Sequence, residues 1–159
     1  MASIQNTLTV LSVATSATLP ATAVAYKALS WSAVGGVSNI GDFGDTYNKI
    51  EAKVLGTRRV QKFKGSVDAG PFEVTCVRDT VDAGQIALRT AAKSDVPVFL
   101  KLELGDKPAT GASPTGTLFY LPVSVYAAPV KTGEQDSMVE QTFTCEIVGD
   151  IIEVAPSAT

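Results

Sequence analysis

The sequence contains no histidine and little of several other chemically useful residues. Of its 159 residues, two are cysteines, two are methionines and one is tryptophan, and only 18% are charged. Histidine is the commonest general base and the commonest metal ligand in proteins, so neither kind of site can be built in the usual way. The helix-favouring residues Glu, Lys, Gln and Met are sparse, whereas Gly, Ala, Val, Thr and Ser are frequent. This composition favours strands and turns over helices.

Catalytic motifs are also missing, because no nucleophile elbow, zinc-protease, phosphate-loop or dinucleotide-binding pattern occurs. A nucleophilic Cys76 would need a lysine or a carboxylate as its base. Paired carboxylates can hydrolyse glycosides without histidine, but Asp42 and Asp45 fall in a turn-rich segment. Glu140 and Glu146 share the wet face of one predicted strand. We therefore expect solvated carboxylates, no catalytic residue, no metal site and no cofactor.

Long apolar runs are absent too. No stretch approaches the roughly 18 apolar residues of a membrane span, so we expect no membrane insertion. Residues 1–26 carry no charge, whereas a secretory signal needs a positive start and an unbroken apolar core. We interpret residues 1–23 as a partly extended arm of a protein made inside the cell.

The net charge of −3 argues against a general affinity for nucleic acid, which requires clustered Lys and Arg. Cys76 and Cys145 are too far apart in sequence to form a metal-ligand pair. We interpret both as small buried residues on strands. A disulfide between them is the alternative.

Alternating apolar and polar residues predict a mainly β protein. The clearest strands are residues 98–104 and 117–126, joined by a loop at 105–116 that is rich in Gly, Pro, Ser and Thr. Pro122 lies within the second strand, which must therefore lie at an edge or break there.

The end of the chain predicts a closing hairpin. A strand at 138–148 meets a tight turn at Gly149-Asp150 and then a short strand at 151–154. Residues 156–159 are expected to fray. Further strands are predicted at 22–34, 49–54 and 72–76, with a turn-rich connection at 35–46.

One helix is predicted at about 80–93. Asp79 or Thr80 can cap its start, and Arg89 and Lys93 near its end complement the helix dipole. Gly84 should weaken this helix by roughly 1 kcal/mol relative to alanine.

Charge is unevenly distributed along the chain. Residues 49–64 hold six bases and one acid, whereas residues 131–153 hold six acids and one base. Copies of such a chain can bind head to tail, and such contacts close into rings or continue as filaments. Ordinary scatter of surface charge is the alternative interpretation.

The run from Leu55 to Val74, LGTRRVQKFKGSVDAGPFEV, resembles the central part of the major tail tube proteins of long-tailed, lambda-like bacteriophages (siphoviruses). In that family a basic, polar hairpin segment leads into a glycine-containing turn and an alternating strand. An Asp and a short helix follow, which resemble Arg78-Asp79 and residues 81–89 here. Residues 37–45 resemble the family's strand-to-loop entry, and with the later strands the resemblance covers residues 24–155.

The resemblance implies one β-sandwich or partly open barrel domain over residues 24–155, with one flanking α-helix and a long inter-ring loop at about 43–64. It implies that six subunits join their sheets into a ring and that rings stack into the hollow tail tube of a virion. The implied partners are further copies of the chain, a tape measure protein and a terminator protein. Viral DNA would cross an acidic lumen without specific binding, because a negative lining repels phosphates.

Subunit contacts are expected between the basic loop and the acidic region. Exposed ion pairs contribute little singly, but a repeated, partly buried ring of them can set register. The candidate interface residues are Phe43, Lys53, Arg58, Arg59, Lys62, Phe63 and Lys64, with Glu134, Asp136 and Glu140 as partners of some of the bases.

Two other functions fit part of this pattern. A tail terminator, baseplate ring or secretion-system tube ring would share the architecture without the same indefinite stacking. A secreted β-sandwich binding module would favour a signal peptide and exposed aromatic platforms, for which Trp31 and a few tyrosines give little support.

Overall fold

A computed structural model describes residues 9–159 of the chain. It confirms a mainly β fold with a flanking helix. The elements in chain order are β1 (Val10–Ala14), α1 (Ala23–Lys27), β2 (Ser32–Ala33), β3 (Val37–Ile40), β4 (Thr46–Ala52), β5 (Gln61–Asp68), β6 (Pro71–Val77), α2 (Ala83–Ala91), β7 (Val98–Glu103), β8 (Leu118–Ala127), β9 (Val130–Lys131), β10 (Glu140–Ile147) and β11 (Ile152–Val154). Within residues 9–159, no helix is long and apolar enough to cross a membrane.

The main sheet is antiparallel and has the strand order β2-β1-β7-β8-β10-β6-β3. Its two ends, β2 and β3, do not pair with each other, so the sheet does not close into a barrel. Strands from both halves of this order contribute buried side chains to one cluster, including Leu11 of β1, Leu100 of β7 and Val74 of β6. The sheet therefore folds over its own core as a sandwich, with β4 and β5 forming a separate two-stranded ribbon.

Strand β8 is shared by both layers of the sandwich and is buried on both faces. Its Leu121 and Val123 join the main core, whereas Leu118 and Tyr120 join a second cluster on the outer face. Tyr26 of α1 covers that outer face, and its ring stacks on Tyr120 with centroids 5.0 Å apart. Helix α1 thus shields the apolar outer surface around Leu118 and Tyr120.

Pro122 lies in the middle of β8, opposite Phe99 of β7, and not at an edge. The break occurs in the strand on the other side, because β10 pairs with β8 as far as Val123 and β11 resumes at Tyr120. Proline has no N–H to donate to a ladder, so the neighbouring chain leaves the ladder around Gly149. The predicted closing hairpin is therefore wrong, since β11 pairs with β8 and not with β10.

Helix α2 is shorter than the predicted 80–93. Asp82 caps it in an extended conformation, with its carboxylate accepting from the Gln85 N–H at 2.8 Å and from the Gly35 N–H at 3.1 Å. The side chain of Gln85 is fully buried and donates to the carbonyls of Gly35 and Val77. These bonds fix α2 against the end of β6.

Residues 22–34, predicted as a strand, instead form α1 and the short β2. Thr22 caps α1 by accepting from the Ala25 N–H at 3.3 Å, and alanine favours the helix that follows.

The chain ends are more ordered than expected within the described residues. Residues 1–8 of the predicted arm lie outside the description. Residues 10–14 form β1, which pairs with β7 and β2 and buries Leu11 and Val13, so the predicted boundary at residue 23 does not separate an arm from the domain. The predicted fraying of residues 156–159 does not extend to Ser157, which exchanges two backbone hydrogen bonds with Thr115.

Both cysteines are free and buried, as predicted. Cys76 is opposite Gln141, and Cys145 is opposite Phe72, on the adjacent strands β6 and β10. The four-residue offset separates their positions along the strands by about 13 Å, beyond the reach of a disulfide. The disulfide alternative is therefore excluded in this structure.

Candidate assembly interface

Most of the predicted inter-ring loop is a regular ribbon formed by β4 and β5. The two strands pair from Thr46–Asp68 to Ala52–Gln61, and only residues 53–60 form the tip. Gly65 and Ser66 together face the single residue Asn48, which makes a β-bulge and increases the twist. The seven residues of β4 at about 3.4 Å each give an arm of about 24 Å.

One face of the ribbon is basic. Lys49 is directly opposite Lys64, and Lys62 is opposite Glu51. The Lys64 ammonium lies 4.5 Å from the ring centroid of Tyr47, and Lys49 pairs with Glu51 at 2.7 Å. Like charges directly opposite each other are destabilising in an isolated ribbon, so this face stays electrostatically unsatisfied.

The predicted acidic partners do not neutralise the ribbon within one chain. In residues 9–159, the ion pairs are Lys49–Glu51 and Lys107–Glu103. The predicted interface bases, all of them exposed and without an ion pair in that part of the chain, are Lys53, Arg58, Arg59, Lys62 and Lys64.

The acidic candidates lie away from the base of the ribbon. Glu134 and Asp136 occupy the exposed loop between β9 and β10, where Asp136 has a left-handed φ of 71°. Glu140 begins β10 and is opposite Lys131, whereas the ribbon base borders the far end of β10 near Ile147. Any pairing of these acids with the ribbon bases therefore requires a second copy.

The other face of the ribbon is apolar and exposed, and its exposure was not predicted from the sequence. Ile50 and Phe63 are directly opposite each other and are 52% and 54% exposed. Leu55 at the tip is fully exposed. The alternation at residues 49–54 predicted a half-buried strand, but this ribbon has no core beneath it.

Phe43 is the one predicted interface residue whose side chain packs largely against the core of its own chain. Its ring meets Phe119 edge-on at 5.3 Å and Phe72 at 6.3 Å, and it is half-buried against the main core. The ribbon therefore starts from a fixed anchor.

A second surface is the uncovered outer face of β6 and β10. Glu73 is opposite Thr144, and Thr75 is opposite Thr142, with their hydroxyls 3.1 Å apart. Glu146 extends the row beside Ser124 of β8. This face carries Glu73, Glu140 and Glu146 against one base, Lys131.

Both edges of this half of the sheet lack a strand partner in the described part of the chain. Strand β3 pairs only with β6. Strand β7 pairs with β8 only as far as Val123, so residues 124–127 are open on that side. A cavity of about 450 Å³ lies beside this open stretch, between Tyr126 and the segment 92–95.

The pKa values of several titratable groups in residues 9–159 are shifted by burial or by hydrogen bonds. Burial raises the pKa of the Cys145 thiol to about 12 and also raises the pKa of Cys76. Two hydrogen bonds from Thr117 lower the pKa of Asp106, and burial lowers the pKa of Lys101. Across residues 9–159, no group of three or more Cys, Asp or Glu side chains is placed to hold a metal ion.

Sequence reasoning missed Leu55 and Glu73 as surface features. Leu55 was visible as an apolar residue next to Gly56 in a basic, polar segment. Glu73 was visible as a solvent-facing position in the alternating run 72–76. Whether another element covers that face of the sheet depends on tertiary structure.

No protein-family model matches the sequence, and no curated protein matches it either. Solved structures do match its fold. A chain of the SPP1 tail tube structure aligns with TM-score 0.68 and 16% identity, over 96% of this chain and 80% of that one. A chain of the PVC sheath/tube terminator, from an extracellular contractile injection system, aligns with TM-score 0.70 and 10% identity, over 98% and 99%. A chain of the baseplate of the anti-feeding prophage aligns with TM-score 0.64 and 8% identity, over 92% of each chain.

At these low sequence identities, the alignments establish a shared architecture and not a shared function. The basic ribbon, the open sheet edges and the acidic outer face thus belong to a molecule with the fold found in phage-like tail tube, tube terminator and baseplate structures.

Proposed function

We propose that this chain is a structural, non-enzymatic subunit that assembles with copies of itself into rings stacked as the tail tube of a phage-like particle. The observation that carries the proposal is the sheet half formed by β3, β6, β10 and the end of β8. It has two different open edges and a polar, acidic outer face, in a chain with the fold of tail tube structures.

The open edges supply a way to join copies. An unpaired edge exposes backbone N–H and C=O groups that another strand can satisfy. Because the two edges belong to different strands, β3 of one copy would meet the end of β8 of the next. Such a heterologous contact closes into a ring when the rotation per subunit fits, and we expect six copies.

The acidic face supplies a lining for the channel. Glu73, Glu140 and Glu146 would face DNA, and carboxylates repel phosphates so that DNA can pass without binding. The bases of the ribbon would then lie outside the channel, where they can contact the next ring. Tape measure and terminator proteins would be the further partners, in a virion assembled in the host cytoplasm.

Electron microscopy of the purified protein over a concentration series tests this proposal. We expect rings at low concentration and regularly striated tubes at high concentration, with the β6–β10 face toward the lumen in a reconstruction. A protein that stays monomeric at every concentration and salt level would contradict the proposal.

A terminator-type or baseplate-type ring is the second candidate. It is supported by the alignment to the PVC sheath/tube terminator structure, which spans nearly the whole of both chains. The same images distinguish the two roles, because a terminator should form rings that do not stack indefinitely.

A further inference from the structure

The tip of the ribbon is an ordered turn with a leucine at its corner. The N–H and the hydroxyl of Thr57 both donate to the carbonyl of Val54, at 3.3 and 3.2 Å. Leu55 and Gly56 are the central residues of this turn, and Gly56 has the left-handed φ of 93° that favours glycine. Turn corners are usually Gly, Pro, Asn, Asp or Ser, so a fully exposed leucine is an uncommon residue for this position.

A groove on the body of the molecule has the matching character. Two cavities of about 200 and 340 Å³ share Val96 and Pro97 as a common wall. Val96, Leu19 and Val148 are all exposed around this groove. Its floor includes Val98 and Phe99 at the start of β7.

We propose that the ribbon tip of one copy inserts Leu55 into the groove beside Val96 and Pro97 of a second copy and thereby links successive rings. This inference rests on the proposed function. Leu55 is fully exposed in its own chain and lines neither cavity, so a groove that receives it belongs to another copy. A knob and a hole at different places on one molecule make a heterologous contact, which continues as a stack when it does not close.

The charges around the knob and the groove also match. Lys53, Arg58 and Arg59 flank the tip in sequence, whereas Asp95 directly precedes Val96 and Asp150 shares a neighbouring pocket with Leu19 of the groove. Lys93 is the base nearest to Asp95 in the sequence, so two acids against one base still favour a basic tip. Charges of this kind orient the approach of two copies, and burial of the leucine stabilises the contact between them.

A pair of introduced cysteines tests the contact directly. We expect L55C/V96C tubes, once oxidised, to give a ladder of multimers on a non-reducing gel, because each copy contributes one thiol to each of two neighbours. Either single variant should give nothing larger than a dimer. Tubes of normal length without a ladder would place Leu55 elsewhere and overturn the proposal.

Substitution of the knob gives an independent test. We expect L55D to raise the protein concentration needed for tubes at least tenfold while rings still form, and V96D to have the same effect. V81D is the matched control, because Val81 is 82% exposed and lines neither cavity. If wild-type protein makes no rings, the proposed function fails; if wild-type, L55D and V96D proteins make tubes equally well, only the groove contact fails.

Discussion

At the scale of single residues, burial decides what the few reactive side chains can do. Cys145 is enclosed between β6 and β8, and desolvation raises the pKa of its thiol to about 12. The pKa of Cys76 is raised mainly by desolvation, with a smaller lowering effect from Arg89. Since the thiolate is the nucleophile, both cysteines are packing residues.

We predict that neither cysteine reacts with a thiol reagent at pH 8 in the folded monomer and that both react after denaturation. The pKa of Cys145 is higher in the folded state than the ordinary thiol value of 9.0, so burial of the neutral thiol is fully favourable below pH 9. Stability should then fall as the pH rises from about 9 to about 12, because the unfolded chain ionises first. Stoichiometric labelling of the native protein would contradict this account.

At the scale of elements, close packing against its neighbours stabilises α2 as much as helix propensity does. A Cβ at Gly84 would come within 2.4 Å of the Ala33 carbonyl oxygen, and a backbone oxygen cannot move aside easily. The glycine therefore permits close packing of α2 on the turn before β3. Its effect on stability is the opposite of what helix propensity alone suggests.

We predict that G84A destabilises the protein by up to about 2 kcal/mol, since overpacking typically costs about 1–3 kcal/mol and the helix gains about 1 kcal/mol. Urea denaturation of the two proteins measures the difference. T90A, an alanine substitution at an exposed position of the same helix, should change stability by less than about 0.5 kcal/mol. A G84A protein more stable than wild type would show that the close contact relaxes freely.

The strands and helices also show how much of the fold could be predicted from the sequence. Strands β7 and β8 were predictable from their alternation of apolar and polar residues. The predicted cap of α2, Asp79 or Thr80, was wrong, because Asp82 caps the helix. The pairing of the last strand was not predictable, since the interruption between β10 and β11 opposite Pro122 depends on which strand lies beside β8. Local pattern cannot specify that neighbour.

The interface was predictable only in part, for a similar physical reason. The basic character of Lys53, Arg58 and Arg59 is visible in the sequence, and they remain candidates. The alternation around Ile50 is equally visible, but it predicted a core that β4 does not have. Whether an apolar face is buried by its own chain or by another is decided by the tertiary structure.

At the scale of the whole molecule, the charges of the ribbon are separated from the acidic loop and from the outer face of β10. The monomer therefore carries unsatisfied bases at one place and unsatisfied acids at another. Contacts between copies would bring the ribbon bases beside acids of a neighbouring copy outside the channel, while the carboxylates of the outer face stay toward the lumen. Each ion pair would contribute little net energy but would have a strong effect on register.

We predict that R58E/R59E blocks tube growth and leaves the monomer folded, because both arginines are exposed and neither forms an ion pair within residues 9–159. Electron microscopy measures the tubes, and circular dichroism checks the fold. K27E/R78E changes the net charge equally away from the ribbon and should still form tubes. Tubes of wild-type length from R58E/R59E would remove these arginines from the interface.

Strand β8 lies at the centre of the sheet and comes late in the chain, so the sheet can be completed only late in synthesis. β1 pairs with β7 across nearly the whole first half of the chain, and β6 pairs with β10, which ends at Ile147. On the ribosome, which releases the N-terminal half first, β1 has no β7 to pair with until residues 98–103 have emerged, and β6 has no β10 until residues 140–147 have emerged. The nascent chain thus keeps its β edges exposed for most of its synthesis and closes its core only at the end.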